Sequence, residues 1–324
     1  MTALALLATL FANLGTTMME FAGIAAGLEL FGLTRYISIP VAALLIFFLV
    51  TRGNYKRVER IFLLFSVVYL SYIASGLLAQ PDWEAALKGG VIPSFQFNNS
   101  AFIVAFIATV GTTITPWGQF FIQSYVVDKR VPPEKLNHQR ADIYVGSLFM
   151  GVVAAFIIIA CAATLFVSGQ VVSEAQDAAL ALGPLAGRFA EVLFGLGLLN
   201  AGLLSAAILP MSSAYILCEG FGFEAGIDRS IGEAPWFYGL LAFFIVFGAG
   251  VVLLNVPLVT VALFSQTVNA IFLTPILIFL LQLTNDEEVM DKYTNGPVFK
   301  IIAEATIVFL VLLSILLVAT TFGS

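Results

Sequence analysis

The sequence predicts an all-α protein that is embedded in a membrane. Hydrophobic residues make up 60% of its 324 residues and charged residues only 10%, and the mean hydropathy is +1.02. Soluble domains carry about 25% charged residues, so this chain has too few of them to cover a surface that faces water. Its sequence shows neither the alternation of a membrane β-barrel nor an internal repeat, which leaves a bundle of spanning helices.

Nine apolar stretches are candidates for spanning helices, each of which needs about 20 residues. The second stretch is short, and the fourth carries helix-breaking residues in its middle. The eighth follows the seventh directly, with Asn255 and Pro257 marking a tight turn between them. The predicted spans of this single transmembrane domain are 3–31, 37–51, 60–79, 100–127 as a broken helix, 141–168, 185–218, 235–254, 256–283 and 298–322.

The basic residues predict which way the bundle faces. Of the 14 lysines and arginines, all but Arg35, Lys88 and Arg188 fall in loops on one side. Basic loops stay in the cytoplasm, so Met1 is expected inside and Ser324 outside a multi-pass protein of the cell (plasma) membrane. The residues of the basic side are Arg52, Lys56, Arg57, Arg60, Lys129, Arg130, Lys135, Arg140, Arg229, Lys292 and Lys300.

The stretch GTTITPWG, residues 111–118, lies near the middle of the fourth span. Gly111 and Gly118 lower the cost of irregular backbone dihedrals, and Pro116 has no N–H for the helix ladder. Inside a bilayer a helix break survives where its exposed backbone groups line a cavity or meet a ligand. Hydroxyl and carbonyl oxygens there would suit a hard cation such as Mg²⁺, Ca²⁺ or Mn²⁺. The hydroxyls belong to Thr112, Thr113 and Thr115.

A simple kink is the alternative interpretation of this stretch. Proline and glycine are common in membrane helices, and threonine hydroxyls often bond back to a carbonyl of their own helix. Transporters do build ion sites from discontinuous helices at mid-membrane, but the stretch alone does not decide between the two readings.

Polar residues of the first span follow one another at helical spacing. Three of the four share a face, and because a carboxylate facing lipid is costly, that face is expected to point into the bundle. Glu20 is then either a hydrogen-bonded or proton-linked group near the permeation path or a purely structural one. The four residues are Asn13, Thr16, Thr17 and Glu20.

The eighth span carries a second polar group, Ser265, Gln266 and Asn269. Gln266 and Asn269 lie one helical turn apart and therefore share a face. Such amides can contact a transported ion, and they can equally hold neighbouring helices together.

Four stretches resemble the NRAMP divalent-metal transporters. The stretch VGTTITPWGQFFIQS resembles the family's sixth helix, which reads like G-A-T-V-M-P-H-N, and TTMMEFAGIAAGLELFGL resembles its third, D-L-A-E-F-x-G. GLLSAAILPMSSAYILCEGF looks like the eighth helix and LFSQTVNAIFLTPILIFLLQLTND like the tenth. The matches follow in order over nearly the whole chain. The resemblance implies a LeuT-like inverted-repeat transporter fold, with the nine spans equivalent to family helices 3 to 11.

The resemblance also implies a site. The family holds its ion partly through an alanine carbonyl and a methionine sulfur on the sixth helix, and those positions here are Thr112 and Thr115. Sulfur favours Mn²⁺, Fe²⁺ and Cd²⁺ over Mg²⁺, so a hydroxyl in its place removes that preference. The residues expected at the ion are Thr112, Thr115, Gln266 and Gly111, with Glu20, Thr17, Thr113, Pro116, Trp117 and Asn269 supporting the path.

Two further residues differ from the family's pattern at positions that are linked to proton movement. Trp117 stands where the family has a histidine, and Thr17 stands where it has an aspartate. Both family residues are associated with proton movement. The resemblance is therefore to the NRAMP-related magnesium branch, which implies transport of Mg²⁺ and also Mn²⁺ by alternating access without obligatory proton coupling.

One expected motif is absent from the sequence. The family's broken first helix carries Asp-Pro-Gly-Asn, and no such run occurs here, so the chain aligns from the family's third helix onward. Thr112 and Thr115 would then be half of a site. Two other readings therefore stay open: an amino-acid carrier of the same fold, and a truncated subunit that does not transport.

An enzyme is not expected, because the sequence contains no hydrolase triad, nucleotide loop or zinc motif. The expected partners are the lipid bilayer and divalent cations, with no nucleic acid. No cofactor is expected besides the transported ion. The sequence does not indicate an oligomeric state.

Overall fold

The computed structural model describes residues 2–52, 63–92, 94, 96, 99–128, 130–172 and 175–322, and the regular elements within them are all helical, as predicted. Four of the basic residues that predict the orientation lie outside the described residues: Lys56, Arg57, Arg60 and Lys129. The main helices are α1 (Thr2–Glu29), α2 (Arg35–Thr51), α3 (Leu70–Leu78), α4 (Trp83–Val91), α5 (Ser100–Thr113), α6 (Pro116–Asp128), α7 (Leu136–Cys161), α8 (Ala190–Phe221), α9 (Pro235–Val252), α10 (Leu258–Asn285) and α11 (Pro297–Phe322).

Seven stretches among the described residues are long and apolar enough to cross a membrane. They correspond to seven of the nine predicted spans. Of the other two, α2 has 17 residues, and the third is described only from residue 63. There a 3₁₀ turn, Ser66–Tyr69, leads into α3, and the chain then bends by 118° into α4, within the predicted outer loop 80–99.

The sixth span begins and ends later than the predicted range 185–218. Gly187 has a φ of +50°, a conformation that favours glycine, so the chain turns there and α8 starts at Ala190. At the other end Gly222, with a φ of +75°, closes the helix by donating its N–H to the carbonyls of Cys218 and Glu219.

Helix α1 is the centre of the bundle, since it packs against α2, α6, α8, α9 and α10. Its Phe21 and Ile24 are fully buried. They belong to one apolar cluster with residues of α8 and α9, including Tyr215 and Phe237, whose ring centroids lie 4.8 Å apart. The outer surfaces of the peripheral helices are apolar as well, as expected of a surface that faces lipid.

Glycines let α8 and α9 approach α1 at the level of the backbone. A Cβ atom on Gly202 of α8 would lie 3.0 Å from the Glu20 carbonyl oxygen and 2.8 Å from Ile24 Cγ1. A Cβ atom on Gly248 of α9 would lie 2.7 Å from Thr17 Cγ2 and 3.1 Å from the Thr17 carbonyl oxygen. In lipid, helices associate largely through such close van der Waals packing, so these glycines set the geometry around α1.

Loops that the sequence places on the same side of the membrane meet in the structure. Arg35 donates two hydrogen bonds to Glu29, at 2.6 and 2.8 Å, beside a cavity of about 200 Å³ that Gln176 and Asn255 also line. These residues come from three segments that were all predicted to face outside. Asn255 has a φ of +61°, in the tight turn expected between α9 and α10.

The contact between α9 and α1 yields a test. Gly248→Ala should destabilise the protein by about 1–3 kcal/mol, because the added methyl meets Thr17 at distances shorter than van der Waals contact. Gly250→Ala is the matched control, since a Cβ atom there meets nothing within 4 Å. Thermal unfolding in detergent should show a lower midpoint for Gly248→Ala alone. Equal midpoints for the two variants would contradict the packing described here.

Candidate functional site

The fourth predicted span is interrupted between Thr113, where α5 ends, and Pro116, where α6 begins. Ile114 between them is extended, with φ −124° and ψ 96°. The backbone therefore leaves the helix for two residues, Ile114 and Thr115, and does not merely bend. Pro116 is buried and, lacking an N–H, suits the first position of the new helix.

The three threonines of the interruption differ in their surroundings. Thr112 and Thr113 are exposed, and the Thr113 hydroxyl donates to the Thr109 carbonyl at 2.8 Å within its own helix. Thr115 is partly buried, and its Oγ1 lies 3.7 Å from where a Cβ atom on Gly118 would stand. Trp117 packs against Phe121, with ring centroids 6.3 Å apart.

Gly111 has a packing role that the sequence did not predict. It lies inside α5, before the interruption, and it is buried against α10. A Cβ atom on Gly111 would overlap the Gln266 carbonyl oxygen and lie 2.8 Å from the Ala270 amide nitrogen. The glycine therefore lets α5 touch the backbone of α10 at Gln266, and the interruption follows three residues later along the chain.

Gln266 and Asn269 join α10 to α1 through a buried network. The Asn269 amide donates to Thr16 Oγ1 at 2.8 Å and to Gln266 Oε1 at 2.9 Å. The Gln266 amide in turn donates to the sulfur of Met19 at 3.0 Å. Asn269 is fully buried and Gln266 is 5% exposed, so both amides need these partners. These bonds connect α10 to α1, which is one of the two roles considered for the amides; contact with a transported ion is the other.

The polar residues of α1 do not form one stripe but face different neighbours. Asn13 donates to Ser213 of α8 at 2.8 Å, whereas Thr16 meets α10. Thr17 donates to the Asn13 carbonyl at 2.7 Å, and its methyl group faces Gly248 of α9. Glu20 is only partly buried. Because α1 is surrounded on several sides, Asn13, Thr16 and Thr17 face three different helices.

Sequence reasoning missed two members of this region, Met19 and Ser213. Methionine in an apolar span reads as a space-filling residue, and no local pattern shows that its sulfur faces an amide. Two buried oxygens, Asn13 Oδ1 and Ser265 Oγ, lack a hydrogen-bond partner among the described residues.

The donors around the interruption are neutral: hydroxyls, main-chain carbonyls, side-chain amides and one thioether. The described part of the chain contains no group of three His, Cys, Asp or Glu residues placed to hold a metal ion. Neutral oxygens match a cation that keeps much of its own water, as Mg²⁺ does. The arrangement can therefore guide a hydrated cation, and it offers no charged cage for a resident metal.

Comparison with known proteins finds similarity to metal cation transporters. The family model described as natural resistance-associated macrophage protein-like matches residues 1–320. The chain is 29% identical over 296 residues to a divalent metal cation transporter MntH of Vibrio campbellii and 26% identical over 323 residues to one of Caldanaerobacter subterraneus. It covers 66% and 73% of those relatives, and they cover 87% and 96% of this chain.

The fold has a counterpart among solved structures. A mutant of the Eremococcus coleocola manganese transporter superposes on the whole chain with a TM-score of 0.68 at 18% identity, and the chain covers 73% of that protein. This likeness confirms the LeuT-like fold implied by the sequence resemblance.

The packing of Gly111 yields a second test. Gly111→Ala should separate α5 from α10, lower the unfolding midpoint and reduce any cation transport, because the methyl overlaps a backbone carbonyl that cannot move aside. Gly118 flanks the same interruption, and a Cβ atom there would lie 3.7 Å from Thr115 Oγ1, an ordinary van der Waals distance. Gly118→Ala therefore serves as the control. Both properties should be measured on both variants. Unfolding and transport like the wild type in Gly111→Ala would show that the contact is dispensable.

Proposed function

Because this chain belongs to the NRAMP family, we propose that it is a divalent metal cation transporter that moves Mg²⁺, and Mn²⁺ beside it, across the cell membrane. It works by alternating access and without obligatory proton coupling. The chain spans about two thirds to three quarters of the length of the curated relatives it matches, so the proposal concerns the transporter to which these helices belong.

One observation carries the proposal: the interrupted helix α5–α6 packs against α10, the helix that also carries the buried amides of Gln266 and Asn269. The contact of Gly111 with the Gln266 carbonyl joins the end of α5, just before the interruption, to the main chain of a residue that belongs to the buried polar network. Backbone N–H and C=O groups outside a helix are stable inside a membrane where the protein or a ligand provides their hydrogen-bonding partners. A cation that passes here would meet main-chain carbonyls, threonine hydroxyls and the Gln266 amide.

The chemistry of these donors favours Mg²⁺. Magnesium requires oxygen ligands in octahedral geometry and gives up its water reluctantly, so neutral oxygens that contact its hydration shell suit it. Thr115 provides a hydroxyl where the family's methionine would provide a soft sulfur. The preference for Mn²⁺ over Mg²⁺ is thereby reduced, and both ions become substrates.

The absence of obligatory proton coupling is inferred from two side chains. Thr17 occupies the position of the family's third-helix aspartate, and it is buried with its hydroxyl donated to the Asn13 carbonyl. Trp117 occupies the position of the family's histidine, and its indole does not titrate near neutral pH. Neither side chain can take up and release a proton during transport. Glu20 supports the path as a partly buried carboxylate of the central helix.

Reconstituted transport tests this proposal directly. Full-length protein in liposomes should carry Mg²⁺ and Mn²⁺ inward down their gradients with no matching proton flux, measured with ion-sensitive and pH-sensitive dyes inside the vesicles. Empty liposomes and liposomes with Gly111→Ala protein are the controls. Uptake of amino acids without any divalent-cation flux would support a carrier of another substrate class. No flux of either kind would support a subunit that does not transport.

The ligand role of Thr115 yields a third test. Thr115→Met should weaken Mg²⁺ transport relative to Mn²⁺ by about tenfold, because a thioether binds Mn²⁺ better than Mg²⁺. Thr109→Met is the control, since Thr109 lies within α5, before the interruption, and its hydroxyl donates to the Ala105 carbonyl. Competition between the two ions in the uptake assay gives the selectivity. An unchanged ratio in Thr115→Met would remove Thr115 from the ligand set.

A further inference from the structure

Met19 lies in the middle of α1, directly after Met18. Both side chains are partly buried and pack against the central apolar cluster. They differ in what the sulfur meets, because Met19 Sδ lies 3.0 Å from Gln266 Nε2 and accepts its hydrogen bond. A thioether that accepts an amide N–H directs a sulfur lone pair at a polar group, even where its carbon atoms pack against apolar neighbours.

The sulfur of Met19 is thereby part of the network between α1 and α10. Thr16 and Met19 are one turn apart on α1, and Gln266 and Asn269 are one turn apart on α10, so the two pairs face each other. The Gln266 side chain connects them: its nitrogen faces the sulfur and its oxygen accepts from Asn269 at 2.9 Å. Thioether, amide and hydroxyl donors thus converge at one level of the bundle.

The helix break follows shortly after the contact between α5 and α10 along the chain. Gly111 of α5 rests on the main chain of Gln266, and Thr112 to Thr115 follow within the next turn. Any ion that reaches the Gln266 side chain is therefore within reach of the Met19 sulfur. The lone pair that accepts the amide N–H can accept a cation in its place.

We propose that Met19 supplies a thioether donor to the passing cation and that this sulfur keeps Mn²⁺ and softer cations such as Cd²⁺ as substrates beside Mg²⁺. The proposal rests on the proposed function and names a residue that sets its selectivity. Thioether sulfur binds Mn²⁺ and Cd²⁺ and contributes almost nothing to Mg²⁺. Binding replaces the hydrogen bond from Gln266, whose amide then turns its oxygen toward the same ion.

The alternative is that Met19 only fills space between helices. Leucine has nearly the volume of methionine and lacks the sulfur, so Met19→Leu removes the donor with little change in packing. Met18→Leu makes the same exchange one residue away, on a side chain that packs against the same cluster. A role in packing alone predicts similar effects of the two substitutions on cation binding.

Cd²⁺ and Mg²⁺ serve as test ions for full-length protein in detergent. Both cysteines, Cys161 and Cys218, are replaced by alanine in every sample, because their free thiols would also bind Cd²⁺. Met19→Leu should weaken Cd²⁺ binding by about tenfold and leave Mg²⁺ binding unchanged, since only the softer ion uses sulfur. Met18→Leu should bind both ions like its parent. X-ray absorption at the cadmium edge should show a sulfur neighbour in the parent and in Met18→Leu, and none in Met19→Leu.

The outcomes separate the two proposals. If the parent binds Cd²⁺ without a sulfur neighbour, or if Met18→Leu and Met19→Leu lose affinity equally, the role of Met19 is refuted while the proposed transport function stands. If the parent binds neither Mg²⁺, Mn²⁺ nor Cd²⁺, the proposed function itself fails. The sulfur neighbour is measured in the parent itself. The inference can therefore still be refuted if Met19→Leu folds poorly.

Discussion

The close approach of α8 and α9 to α1 is the constraint on which the rest of the structure depends. Gly202 and Gly248 bring two helices to the backbone of α1 itself, at Glu20 and at Thr17. In lipid there is little hydrophobic gain from burying one apolar helix against another, so this packing is a major part of what holds the bundle together. With α1 enclosed in this way, its polar residues must find partners on the helices around it.

The enclosure explains why polar groups inside the bundle are tolerated. Asn13 reaches Ser213 on α8, and Thr16 is bonded to Asn269 on α10. Each bond satisfies a group whose burial alone would cost a few kcal/mol, and it also fixes how neighbouring helices are rotated. The polar network and the glycine contacts therefore act together to set the position of α10, and through Gly111 the position of α5.

Much of this architecture could be predicted from the sequence because membrane helices are limited by length and hydropathy. A break or a kink at this point was predictable too, because either one depends on Pro116 and its neighbours in the sequence. The role of Gly111 was not, because it depends on a backbone 155 positions away in the sequence, at Gln266. Met19 was missed for the same reason: the neighbour that gives its sulfur a polar contact lies on another helix.

The two halves of the interrupted helix are anchored to different parts of the molecule. Helix α5 rests on α10 and α11, whereas α6 packs mainly on α8, where Ser124 donates to Glu219 at 3.0 Å and Phe121 meets the ring of Tyr215. Ile114 still closes the end of α5 by donating its N–H to the Val110 carbonyl at 3.2 Å, and Pro116 has no N–H with which to continue that ladder into α6. A tilt of one half relative to the other would therefore change the backbone at Ile114 and Thr115, while α5 and α6 each keep their own neighbouring helices.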